Sequence, residues 1–255
     1  MSPVVITILI VAGITILIAI AFINSTLEKN KLEKARQKAD LTDRVRRCGN
    51  LSESMPGQLI SPALKLLLTR IELQLGDQLL PLDKGNAPLL SRLGDLRTLV
   101  AMGESIPIKN PPQPVLVEAK AKEIRFQLEA LHSLISRAQQ DGQLSPADAK
   151  HWSAEIRNML VLVHIELFSN LGLQALQQGQ ARQARLAFER GVQYLQKQAD
   201  VGRYQAQLQK LQQQLAHANA LVLETSQPAE NETSQLTEGL KSLDDEDEAW
   251  KKKSF

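Results

Sequence analysis

Residues 4 to 23 read VVITILIVAGITILIAIAFI, twenty positions without a charge. As a helix this run would rise about 30 Å, the thickness of a bilayer's hydrocarbon core. It is apolar on every face, and a small domain has difficulty covering such a helix. The run is therefore expected to cross a membrane once, as a signal anchor. Lys29, Lys31, Lys34, Arg36, Lys38, Arg44, Arg46 and Arg47 follow it, and no charged side chain precedes it. Positive charge close to a span tends to stay cytoplasmic. That places the N-terminus outside and everything after Asn24 in the cytoplasm, at an inner or plasma membrane. A cleaved signal peptide could be cut at Ala19-Ile20-Ala21, but Met1-Ser2-Pro3 lacks the basic residues such peptides carry. Ala12, Gly13, Ala19 and Ala21 do not form GxxxG, so the run carries no specific pairing signal.

The rest of the chain is rich in Leu, Ala, Gln, Glu, Lys and Arg, while aromatics make up only 4% of the whole. This composition favours helices over strands and predicts an all-α protein. The single cysteine, Cys48, excludes an internal disulfide framework and a Cys-rich metal site. Residues 25–60 carry 8 basic and 5 acidic side chains, residues 61–224 carry 18 and 15, and residues 225–255 carry 4 and 8. No region is basic enough to point to nucleic acid. The basic cluster is read first as a topology signal, and contact with anionic lipid headgroups is its weaker reading.

Four regions are expected: an anchor over 1–24, a basic juxtamembrane stalk and loop over 25–60, a helical domain over 61–223 and a disordered tail over 224–255. The stalk reads as a solvated helix to residue 47, and Gly49, Asn50, Ser52, Ser54, Pro56 and Gly57 mark a loop after it. Ser61-Pro62 is a helix-start pair, since proline lacks the N–H that would go unbonded there. A short helix carries Leu89, Leu93, Leu96 and Val100, and a proline-rich connector follows over 106–114. Val117, Ala121, Ile124, Leu128, Leu131, Ile135 and Ala138 then alternate spacings of four and three, a coiled-coil-like seam. Ser145-Pro146 restarts a helix after a short turn, which implies an antiparallel hairpin. A last helix is expected over about 201–222, with Tyr204, Leu208, Leu211, Leu215 and Ala218 on one face.

Within the hairpin region, Phe168, Leu171, Gly172, Ala175, Gly179, Ala181, Ala184, Phe188 and Gly191 fall in a 34-residue stretch from Ile165 to Gln198. This stretch resembles a tetratricopeptide repeat. The resemblance implies two closely packed helices, small residues at their crossing and Phe188 between them. In a binding protein, a groove near Leu171, Gly172, Ala184, Phe188 and Tyr194 is expected to receive a partner helix or peptide. Where the family has a terminal proline this chain has Gln196, and there is no second copy of the motif.

In the acidic tail, Leu243 and Trp250 flank the block Asp244 to Glu248 and form a candidate docking peptide. No Walker loop, GxGxxG, HExxH or CxxC pattern is present. His132, His151, His164 and His217 are scattered, with His151 and Glu155 four apart. Cys48 reads as a loop thiol among arginines. No catalytic residue, cofactor or metal is expected. The chain reads as a membrane-anchored helical scaffold that binds protein partners, and self-association is compatible with that. The alternatives are a helical protein of the periplasm or envelope and an enzyme with an unrecognised site.

Overall fold

The computed structural model describes residues 3–224, with side chains at Phe22 and from Asn24 onward. The tail with Leu243 and Trp250 lies outside the described residues. Every regular element among the described residues is helical. They form two compact units, one of residues to Ser54 with Ser61–Ile108, the other of Met55–Ile60 with residues from Lys109. The single helical domain expected over 61–223 therefore divides at the proline-rich connector. That connector cannot continue a helix, because its prolines lack amide donors.

The first unit contains α1 (Pro3–Ser54), α2 (Pro62–Leu79) and α3 (Ala87–Ala101), with 3-10 turns at Leu80–Leu82 and Gly103–Ser105. The expected stalk is the exposed middle of α1, and the helix runs without a break into the folded unit. The loop expected from residue 48 is instead the last turns of α1, where Cys48, Gly49, Leu51 and Ser52 are buried. Burial against α2 outweighs the weak helix propensity of Gly49 and Asn50. Gly49 also gives room to the Glu72 carboxylate, which would lie 3.3 Å from a Cβ there. Because α1 has no basic residue in its last turn, α2 supplies one: Lys65 Nζ donates to the Ser52 carbonyl at 2.8 Å.

The predicted start of α2 is observed. The Ser61 hydroxyl accepts from the Leu64 amide at 3.1 Å, with Pro62 in the first turn. Asn86 caps α3 in the same way, accepting from the Leu89 amide at 3.0 Å. Leu79, Leu89, Leu93 and Leu96 form a small core, and Leu41 and Val45 of α1 pack on it.

The second unit contains α4 (Glu118–Gln140), α5 (Pro146–Gln177), α6 (Ala181–Gln196) and α7 (Gln205–Glu224), with a 3-10 turn at Val201–Tyr204 before α7. Each of these helices packs on the next. Except for Val117, the N-cap of α4, every residue of the predicted seam is buried. Ser145 caps α5, accepting from the Asp148 amide at 3.0 Å and donating to the Asp148 carboxylate at 2.7 Å. Between α5 and α6, Gly179 takes φ +73°, the left-handed conformation that glycine adopts without a steric penalty. The Gln180 amide then returns to the Ala175 carbonyl at 2.8 Å, ending α5. Arg203 pairs with Glu155 at 3.1 Å and Tyr204 donates to Asn158 at 2.9 Å, which ties the turn before α7 to α5.

Helix α5 lies between α4 and α6, so it must be apolar on two sides. That explains its composition. Among the described residues, it alone is long and apolar enough to cross a membrane, yet 56% of its most apolar window is buried inside the fold. The crossing of α5 and α6 depends on Gly172. A Cβ there would run into the Phe188 ring. Phe188→Ala is expected to cost about 3–5 kcal/mol. Gly172→Ala should cost about 1–3 kcal/mol despite alanine's better helix propensity. Urea melts of both single variants and the double variant test the pair. The double variant should lose clearly less than the sum, because the space vacated by Phe188 accepts the new methyl.

Candidate functional site

The residues expected to face a partner are brought together by the fold, but most of them form its interior. Gly172, Ala184, Phe188 and Tyr194 are buried, and Leu171 packs partly buried against the same cluster. Leu208, Leu211 and Ala218 of α7 join that cluster. Gly172, Ala184, Phe188 and Tyr194 therefore build the hairpin's own packing, and Leu171 stays partly exposed beside them. The physical reason is the small residue at 172: it draws Phe188 inward, and an aromatic side chain used to fill that gap is not presented to a ligand.

Tyr194 also meets a residue the sequence left unassigned. Its ring centroid lies 4.9 Å from that of His164 on α5, and Phe168 lies 5.8 Å from Tyr194. His164 Nδ1 lies 2.9 Å from the Leu160 carbonyl. A carbonyl only accepts, so Nδ1 carries the proton in that contact. The Tyr194 hydroxyl is 3.4 Å from the same nitrogen. The pair makes a buried polar seam in an aromatic cluster. The other candidate histidine pair separates: Glu155 is taken by Arg203, while His151 meets Trp152 edge-on at 5.3 Å.

A second arrangement was not foreseen from the residues. The extended segment around Asn110 to Val115 is held on both sides, mostly through its main chain. The Gln58 amide donates to the Gln113 carbonyl at 2.7 Å and accepts from the Gln113 amide at 3.0 Å, imitating a neighbouring strand. Gly57 N–H donates to the Pro111 carbonyl at 3.0 Å, and Asn110 donates to the Met55 carbonyl at 2.9 Å. On α5, Glu166 accepts from the Val115 amide at 2.9 Å and Asn170, one turn on, donates to the Val115 carbonyl at 3.0 Å. The Val115 side chain is fully buried between these contacts. A proline-rich segment lacks donors for a ladder, so these residues supply the partners that a sheet otherwise would. The spacing of Glu166 and Asn170 was visible in the sequence, but nothing there joined them to Val115.

In the first unit, the polar interior centres on Glu72. Its carboxylate is buried and accepts from Arg92 at 2.7 and 3.1 Å, while Arg92 also reaches Glu53 at 3.3 Å. This two-point bond with Glu72 holds the Arg92 guanidinium above its ordinary range. Cys48 lies beside this network and its thiol donates to the Leu68 carbonyl at 3.4 Å. The reading of Cys48 as a loop thiol among arginines is corrected here. Its side chain points from a helix into the packing, whereas Arg46 and Arg47 are engaged by Asp43 at 3.0 and 2.6 Å. Burial pushes the thiol up to about 12, and the Glu72 carboxylate adds to the rise. Among the described residues no three His, Cys, Asp or Glu side chains are grouped to hold a metal ion.

Comparison of the chain with protein-family models, with curated proteins and with solved structures gives no match.

The state of Cys48 is measurable. In the folded chain a maleimide at pH 7.5 should leave Cys48 unmodified, and modification should become complete in urea. Rapid labelling without denaturant would show that the last turns of α1 are open. Above the ordinary value of 9.0 the unfolded chain loses the thiol proton while the folded chain keeps it, up to about 12. Stability contributed by the thiol should therefore fall as pH rises through that window, and Cys48→Ala should flatten the slope.

Proposed function

We propose that this chain is a single-pass membrane protein that presents helical units as a scaffold for protein partners on the cytoplasmic side. The observation that carries the reading is the continuity of α1. One helix, Pro3–Ser54, contains the apolar run of residues 4–23 and ends in the buried turns at Cys48 and Leu51. An anchor built this way would hold the first unit to a membrane by regular backbone hydrogen bonds and not by a flexible linker. The orientation follows from the bases after the run, which favour retention on the cytoplasmic side.

The α5–α6 hairpin serves in this reading as one tetratricopeptide-like element, stabilised by its neighbours α4 and α7 in place of further repeats. Partner binding would fall to exposed surfaces, because the hairpin's small and aromatic residues are spent internally.

Two measurements test the proposal together. In alkaline carbonate the full chain should stay with the membrane, and deletion of residues 1–24 should release it; release of the intact chain would sink the anchor. Because Cys48 is buried, topology needs a cysteine on an exposed position such as Ser133. With Ser133→Cys, an impermeant maleimide should label only after the inner membrane is opened. Labelling in intact cells, with access through any outer barrier ensured, would put the helical units outside and favour an envelope role.

A further inference from the structure

The eight bases after the apolar run are one cluster in sequence and two sets in the structure. Lys38 pairs with Asp83 at 3.0 Å. Arg44 is within 3.9 Å of Asp40, and Arg46 and Arg47 are bound to Asp43. This set is engaged by the protein's own carboxylates. Lys29, Lys31, Lys34 and Arg36 are all exposed on α1, and none of them forms an ion pair among the described residues. We infer that these four bases bind the headgroups of anionic phospholipids in the leaflet on their side of the membrane. The inference rests on the anchored reading above.

Geometry supports a collar around the helix. At about 100° per residue, Lys29 and Arg36 share one side of α1, while Lys31 and Lys34 share the opposite side. A helix leaving a membrane thus shows positive charge to lipids on both sides. Counted from Ile23 at 1.5 Å per residue, Lys29 and Lys31 stand about 9 and 12 Å beyond the apolar run. The headgroup layer is roughly 6 Å deep on each side. Long side chains bend back toward such a layer, so these two reach the phosphates directly. Lys34 and Arg36 stand about 16 and 20 Å out, where they act through a field screened over about 8–10 Å. Glu28 and Glu33 are exposed on the same stretch and offset part of the charge. Even so, the four bases outnumber them, whereas each base of the engaged set has a carboxylate within 4 Å.

The full chain can report this directly, because buried Cys48 leaves a cysteine at exposed Ser25 as the one reactive thiol. A donor dye on Ser25→Cys is reconstituted in phosphatidylcholine vesicles containing equal amounts of phosphatidylglycerol. Trace headgroup-labelled phosphatidylglycerol or phosphatidylcholine serves as acceptor. Energy transfer should show a local preference for phosphatidylglycerol of about fivefold, the worth of one unopposed base at the surface. The preference should fall toward one in K29Q/K31Q/K34Q/R36Q and in 1 M salt, with K29Q/K31Q giving most of the loss. It should persist in K38Q/R44Q/R46Q/R47Q, with protection of Cys48 confirming that each variant is folded. Equal transfer to both lipids in the parent, or loss only in the folded second set, overturns the inference while leaving the anchor intact. If the chain is stripped from pure phosphatidylcholine vesicles by alkaline carbonate, the anchored reading falls and the lipid collar falls with it.

Discussion

The second unit depends on the burial of α5 from two sides. A helix packed on one neighbour needs one apolar stripe, but α5 has α4 on one flank and α6 on another. Buried residues consequently crowd its sequence, with Met159, Leu160, Val161, Val163, His164 and Ile165 all inside. Such a helix cannot stand alone in water, and its neighbours owe their own order to its faces. Gly172 sets how closely α6 approaches, and Phe188 fills the space that results. Most of the hairpin's packing follows from those two residues.

Polar groups supply the register that apolar packing leaves open. Leucines on a helix face can slide with modest loss, whereas a buried donor without its acceptor costs about 1–3 kcal/mol. In the first unit the two-point bond between Arg92 and Glu72 fixes α3 on α2. In the second, Gln58, Glu166 and Asn170 fix a segment whose prolines prevent it from joining a ladder. Both arrangements join residues separated by 20 or more positions, and the second reaches 55.

Local signals were well written in the sequence. Ser61 and Ser145 cap the helices they were expected to cap, because a cap is decided within three residues. The α4 seam was legible because one helix with one main partner leaves a simple period. What failed was anything decided by a distant segment. Gly49 and Asn50 looked like loop residues, but Cys48, Gly49, Leu51 and Ser52 are buried and the helix continues. Cys48 looked exposed and activated by arginines, though it is buried and Arg46 and Arg47 are engaged by Asp43. Of the five hairpin positions read as a partner surface, four are buried in one cluster and Leu171 packs partly exposed against it. Their small and aromatic types fit internal packing and external binding equally well, and only the close crossing of α5 and α6, with α7 packed on the same cluster, separates the two.

An uninterrupted helix also transmits rotation. From the end of the apolar run at Ile23 to the first packed residues at Leu41, α1 is a single rod about 27 Å long. One residue inserted into its exposed middle would turn the two ends by about 100° relative to each other and part them by 1.5 Å. Seven inserted residues would part them by about 10 Å and turn them by only about 20°. Length variation in this stretch should therefore be quantised. Insertions close to a whole number of turns, such as seven, eleven or eighteen residues, keep the first unit facing nearly the same way about the rod, and lengths between them turn it aside.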